Sequence, residues 1–187
     1  MKSFFRELVI IVVIALVIYL GLKVLAEDYV IRECSMEPTL YDGQRILVSK
    51  IVYRFHEPER GDIIIFRPPS AHNPEATPFI KRVIALPGET IEVKDGNVYV
   101  NGSKFDEPYI KKPPNYILKR ETVEGGYFVL GDNRNNSNDS HTGWTVPRQN
   151  IIGKAWLSFW PPSKWGLTTN YPLPEQIATP VYCSEVK

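Results

Sequence analysis

The sequence predicts an all-β domain preceded by one N-terminal transmembrane helix. Three observations point there. An uncharged apolar run lies near the N-terminus. A series of short β-branched and aromatic stretches follows, each bounded by Gly or Pro. The 16 prolines and 12 glycines are spread along the 187 residues rather than repeated, which suits a loop-rich β protein better than a helical bundle.

The apolar run is Leu8 to Leu22, LVIIVVIALVIYLGL, with Lys2 and Arg6 before it and Lys23 after it. If Lys23 snorkels, the span extends through Ala26, near the lower end of the roughly 17–25 residues a spanning helix needs. No polar face exists on which to expose it, which argues against a buried core helix. A cleaved secretory signal is the rival, because Val24-Leu25-Ala26 has small or branched residues where a processing site would want them. Lys23 just before that site and the length of the run favour an anchor. Basic residues before the run, and Glu27 and Asp28 after it, orient the N-terminus toward the cytoplasm. The expected division is a cytoplasmic end over 1–7, a membrane anchor over 8–26 and an extracytoplasmic domain over 27–187.

From Arg45 the chain reads as strands. Ile46–Val48 and Ile51–Tyr53 form one stretch, and Ile63–Phe66 another, opened by Gly61-Asp62 and closed by Pro68-Pro69. Ile80 to Leu86 follows, ended by Pro87-Gly88. Two alternating strands then flank Asp95-Gly96, a pair suited to the positive φ angles of a tight hairpin turn. A polar, turn-rich insertion around 95–125 precedes the strand Tyr127–Leu130, and its basic pairs, such as Lys111-Lys112, read as a solvated face. Ile151 to Trp160 is the last apolar stretch, and the Pro-rich tail beyond it has no assignment. Trp160 and Trp165 suit either a lipid interface or the core, with the core the simpler reading.

Composition excludes some functions. Lys plus Arg number 22 against 21 Asp plus Glu, a formal net charge of +1, so no broad positive field awaits a nucleic acid. His56, His72 and His141 are too scattered for a zinc site, and no metal or cofactor is expected. Cys34 and Cys183 do not make a disulfide framework; two independent thiols is the simpler reading, with one bridge left open.

Three stretches carry chemistry. Ser35 lies in Cys-Ser-Met-Glu-Pro-Thr-Leu, just after the membrane segment. Lys81 lies inside the apolar run Phe79-Ile-Lys-Arg-Val-Ile-Ala-Leu, where a period of two places it with Phe79 and Val83. A lysine facing apolar surroundings loses hydration, which lowers its pKa. Serving as a base near neutral pH requires a fall of about 3 units from roughly 10.4, on the order of 4 kcal/mol. The third stretch, Gly131-Asp-Asn-Arg-Asn-Asn-Ser-Asn-Asp-Ser-His141, reads as a loop of Asx and Ser turns. It does not fit a calcium-loop template.

In this order, behind an N-terminal anchor, Ser-Met-x-Pro-Thr-Leu, Gly-Asp-Ile-Ile-Ile-Phe, Ile-Lys-Arg-Val-Ile-Ala-Leu-Pro-Gly and Gly-Asp-Asn-Arg-x-Asn-Ser-x-Asp-Ser closely resemble bacterial-type signal peptidase I. The resemblance runs from about residue 6 to about residue 160. It implies an all-β catalytic core with a small inserted β extension, and a membrane-bound serine endopeptidase that removes signal peptides from exported preproteins by a Ser–Lys dyad. Ser35 is then the nucleophile and Lys81 the general base. Ser137 holds the lysine amine, Met36 and Pro38 shape the site, and Asp139 supports the third loop. The Ser35 N–H helps stabilise the oxyanion. Lysine at position 81, where archaeal and endoplasmic-reticulum enzymes carry histidine, places the chain on the bacterial or organellar side. The implied partners are preprotein signal peptides with small residues at the first and third positions before the cut, and membrane lipid. The chain is expected to be a monomer in a plasma membrane or an organellar inner or thylakoid membrane.

Three positions depart from the family pattern. Glu33 stands two before the nucleophile, where Ser or Gly is usual, and an ionised carboxylate cannot donate to an oxyanion. His141 stands where an arginine usually pairs with the aspartate at 139, so the loop is expected to weaken as pH rises through the histidine's range. Gly143-Trp144 reverses the family order. Two alternatives remain: a catalytically silent, membrane-tethered peptide-binding β domain, which Glu33 supports best, and another Ser–Lys processing protease.

Overall fold

The computed structural model describes residues 2–69 and 77–168; His72, Cys183 and the tail beyond 168 lie outside them. Helix α1 covers Lys2–Leu25, and its stretch Phe4–Gly21 is long and apolar enough to cross a membrane, with none of it buried against the protein. At a rise of about 1.5 Å per residue, 24 residues span about 36 Å, enough for a bilayer's hydrocarbon core.

The helix runs directly into strand β1, Ala26–Val30, which sequence reasoning did not find. AEDYV has neither alternation nor β-rich composition. Its neighbour β2, Arg45–Ser49, supplies the antiparallel ladder, while Asp28 pairs with Arg45 and Glu27 with Lys50. The second correction concerns Ile51–Tyr53. Val52–Phe55 form a single helical turn, α2, not a continuation of β2. Tyr53 is buried there and donates its hydroxyl to Asp62 at 2.8 Å.

The remaining strands are β3 Ile63–Phe66, β4 Phe79–Ala85, β5 Thr90–Lys94, β6 Asn97–Val100, β7 Ser103–Lys104, β8 Leu118–Thr122, β9 Phe128–Leu130, β10 Ile151–Trp160 and β11 Gly166–Leu167. They form two antiparallel sheets. The larger runs β1-β2-β10-β3-β4-β9, with β11 paired to β10; the smaller runs β7-β6-β5-β8. The smaller sheet begins with β5, ahead of the turn-rich stretch around 95–125 that holds its other three strands, and its β5–β6 hairpin turns at Asp95-Gly96, both with positive φ.

Strands β3 and β4 explain why the sequence shows unbroken apolar runs there. Every β3 side chain is buried, because the large sheet carries a core on each face. Ile63 and Ile65 join Met36, Leu40, Ile46 and Val48 on one side. Ile64 and Phe66 join Val83, Val129 and Val146 on the other. A third cluster, with Ile84, Ile91, Val98 and Leu130, ties the small sheet to the large one. The core reading of the two tryptophans is overturned: Trp160 is 54% exposed and Trp165 69%.

Candidate active site

The chain leaves β1 and makes a tight excursion through residues 31–44 before entering β2. Ile31 N–H donates to the Gln44 carbonyl at 2.7 Å and Gly43 N–H to the Ile31 carbonyl at 3.0 Å, closing the base of the loop. Met36 and Leu40, both essentially unexposed, pin it into the core. Pro38 is buried behind a cis bond from Glu37. The sequence-predicted site-shaping residues thus sit beneath the turn that presents Ser35. Its neighbour Cys34, read as an independent thiol, is instead disulfide-bonded.

Lys81 projects from the middle of β4, and its Nζ lies 2.7 Å from Ser35 Oγ as a hydrogen-bond donor. Both residues are buried, Lys81 at 3% exposure and Ser35 at 6%. Burial lowers the Lys81 pKa by penalising the charged ammonium, while the carboxylates of Asp139, Glu33 and Asp132 partly oppose the fall.

The third loop grips the nucleophile's backbone. Asn133 N–H donates to the Ser35 carbonyl at 3.0 Å, and Asn133 Nδ2 to the Cys34 carbonyl at 3.1 Å. Gly131 makes this approach possible: a Cβ there would stand 2.3 Å from Ser137 Oγ and 2.4 Å from the Ser35 carbonyl oxygen. Ser137 therefore borders the dyad. Its buried hydroxyl has no hydrogen-bond partner among the described residues, and Lys81 is bonded to Ser35 rather than to it.

Asp139 is wholly buried and orders the same loop. It accepts from Gly131 N–H at 2.9 Å and from His141 N–H at 3.3 Å, and its Oδ1 lies 2.6 Å from His141 Nδ1. The imidazole stacks on Tyr116, ring centroids 4.3 Å apart. Gly143 ends the short 3-10 turn 140–142 with φ +99°, a conformation other residues adopt at a cost. Trp144 then packs against Phe66, centroids 6.0 Å apart. The Gly-Trp order is thus accommodated by a left-handed cap followed by a core contact.

Other residues of the site carried no assigned role in the sequence reading. Arg82, beside Lys81 on β4, makes a two-pronged bond to Asp132 at 2.9 and 2.7 Å, and Thr39 donates to Asp132 at 2.6 Å. One buried ion pair thus joins the nucleophile loop, the base strand and the third loop. Arg82 and Asp132 lie inside quoted motifs, so the signal was present. Glu107 and Tyr109, which reach Arg134 and Arg82, lie in the insertion and have no motif to mark them.

A groove of about 610 Å³ opens beside the dyad, walled by residues 28–33 on one side and 77–81 on the other. Glu33 lines it, exposed, with a left-handed backbone (φ +80°) and its N–H bonded to Asp42 at 2.9 Å. Among the described residues, no hydrogen bond engages the Ser35 N–H. No cluster of His, Cys, Asp and Glu suited to a metal occurs among them either.

The model of the family described as "Signal peptidase, peptidase S26" matches residues 2–160. A probable signal peptidase I-1 of Synechocystis is 48% identical over 88% of this chain and 87% of its own. A signal peptidase I of Leptolyngbya laminosa is 49% identical over 82% and 78%. The chloroplastic thylakoidal processing peptidase 1 of Arabidopsis thaliana is 42% identical over 75% of this chain and 44% of its own. With a family match over nearly all the described residues, and relatives sharing almost half its sequence, this chain belongs to the signal peptidase family, peptidase S26, and is a serine peptidase.

Proposed function

We propose that the chain removes N-terminal signal peptides from exported preproteins, with Ser35 as nucleophile and Lys81 as general base. The 2.7 Å contact between Lys81 Nζ and Ser35 Oγ carries the reading. It unites a nucleophile that needs activation with an amine whose burial favours the neutral form.

In this reading the neutral Lys81 amine takes the Ser35 Oγ proton as Oγ bonds to the scissile carbonyl carbon. The Ser35 N–H stabilises the resulting oxyanion. Collapse breaks the C–N bond, and Lys81 hands its proton to the departing amine of the mature protein. Lys81 then takes a proton from a water whose oxygen bonds to the ester carbonyl carbon; as the C–Oγ bond breaks, the Lys81 ammonium returns the proton to Ser35 Oγ and the signal peptide leaves as its carboxylate. In this reading Ser137 holds the lysine once substrate has displaced the resting contact, and Asp139 keeps that loop in place.

The substrate binds extended in the groove, where residues 28–33 and the approach to β4 offer backbone on both sides. Since β1 follows α1 without a linker, a helix in the bilayer sets this groove close to the membrane surface. An N-terminus in the cytoplasm and a catalytic domain on the far side follow from the flanking charges. The exposed Trp160 and Trp165 suit a lipid interface. The chain acts as a monomer in a plasma or thylakoid-type membrane.

Mapping the cleavage product tests this. Detergent-solubilised protein incubated with a preprotein should yield one new N-terminus, preceded by small residues at the first and third positions. Cleavage elsewhere, or none with several preproteins, contradicts it.

A further inference from the structure

The segment 105–117 between β7 and β8 has no regular secondary structure, yet side chains across it touch the catalytic loops. Glu107 bonds Arg134 Nη1 at 2.7 Å, and Arg134 Nε in turn donates to the Gly131 carbonyl at 3.0 Å. Asn135 donates to the Pro113 carbonyl at 3.0 Å and accepts from Asn115 N–H at 2.8 Å. Lys111 approaches Glu37, in the nucleophile loop, at 3.6 Å. At the centre is Tyr109, 2% exposed, with its hydroxyl 3.2 Å from Glu107. The Arg82 guanidinium lies 4.1 Å from the centre of its ring, and that of Arg134 at 5.9 Å.

Arg82 and Arg134 are both buried cations, at 2% and 1% exposure. Arg82 pairs with Asp132, and Arg134 with Glu107. A buried guanidinium gains from an aromatic face that replaces lost water. Here one ring serves an arginine adjacent to Lys81 and an arginine bonded to the loop that grips Ser35. The insertion therefore reaches the two halves of the dyad through a single side chain.

We infer that Tyr109 is a positioning residue for the Ser35–Lys81 pair, acting through Arg82 and Arg134, so that the inserted lobe sets the geometry of catalysis. The inference rests on the dyad reading above. It requires the aromatic face, not the hydroxyl: a phenylalanine should serve, and an aliphatic residue of similar bulk should not.

The experiment compares Tyr109→Phe, Tyr109→Leu and Glu107→Gln with the full-length parent in detergent, measuring kcat and KM on a preprotein-derived peptide, with thermal melting for each. Tyr109→Phe should stay within threefold of the parent. Tyr109→Leu and Glu107→Gln should lose about tenfold or more in kcat, with KM within twofold, at temperatures where each is fully folded. A folded Tyr109→Leu with parental kcat overturns the inference. So does activity falling only in proportion to folded protein, or a Tyr109→Phe as impaired as the leucine variant. If the parent and Ser35→Ala cut alike, the dyad reading has failed instead.

Discussion

Gly131 separates Ser137 from the backbone of Ser35 by less than the room a methyl group needs: a Cβ there would lie 2.3 Å from Ser137 Oγ and 2.4 Å from the Ser35 carbonyl oxygen. The Ser35 carbonyl cannot give way freely, nor can Gly131 itself shift, and the Ser137 Cβ would stand only 2.7 Å away whatever its hydroxyl does. Asn133 holds the Ser35 carbonyl, and Asp139 holds the Gly131 N–H. Gly131→Ala should cost about 1–3 kcal/mol by overpacking and lower kcat at least tenfold, because the strain falls on the nucleophile. Chemical denaturation beside steady-state kinetics checks both. Parental kcat would show that the loop has slack.

Lys81 should carry a stability cost that depends on pH. Its folded-state pKa is lowered by burial, so between the folded and unfolded values the unfolded chain binds more protons. Stability then rises with pH across that window. Lys81→Met, similar in length but without the charge, should stabilise the inactive protein near pH 7. The gain should shrink as pH approaches the unfolded lysine value of about 10.4. Melting in detergent from pH 6 to 10 tests the sign, and a gain growing with pH would contradict it.

Glu33 lowers the availability of the base. Its carboxylate is one of three that work against the burial of Lys81, and removing its charge lets the lysine pKa fall further. Glu33→Gln should move the acidic limb of the kcat/KM profile to lower pH, an effect that fades with added salt. Glu33→Ser adds a hydroxyl donor at the same place. If only the serine variant raises kcat severalfold at the plateau, the oxyanion contact in the parent is incomplete. An unshifted limb in Glu33→Gln would separate the carboxylate from the base.

Arg82 and Asp132 form a buried ion pair at 2% and 0% side-chain exposure. Asp132→Asn removes the buried guanidinium's paired carboxylate and should cost about 3–5 kcal/mol, whereas replacing both partners by apolar residues should cost less. A double variant no more stable than the single one would show that Thr39 and Gly61, which also bond this pair, carry the structure.

Sequence reasoning reached the residues whose local chemistry is distinctive. Asp95-Gly96 marked its hairpin, the Gly and Pro breaks bounded β3 and β4, and the ordered motifs pointed to Ser35 and Lys81. It failed where structure depends on distant partners. β1 is a strand because β2 lies beside it, since AEDYV has no pattern of its own. Ile51–Tyr53 has strand-like residues but turns into α2, where Tyr53 reaches Asp62. Glu107 and Tyr109 join the site from an irregular segment roughly 25 residues before the loop they hold, and no periodicity could place them there. The core reading of Trp160 and Trp165 fails because aromatic residues suit a core and an interface equally, and nothing local chooses between them.

The pairing of Ser35 with Lys81 is tested most directly by the single-turnover rate of preprotein cleavage by Lys81→Ala, measured beside the parent at matched folded concentration. The dyad predicts a loss of at least about a thousandfold, because Lys81 is the amine hydrogen-bonded to Ser35 Oγ. A rate within tenfold of the parent, in a protein that melts as a folded domain, would contradict it.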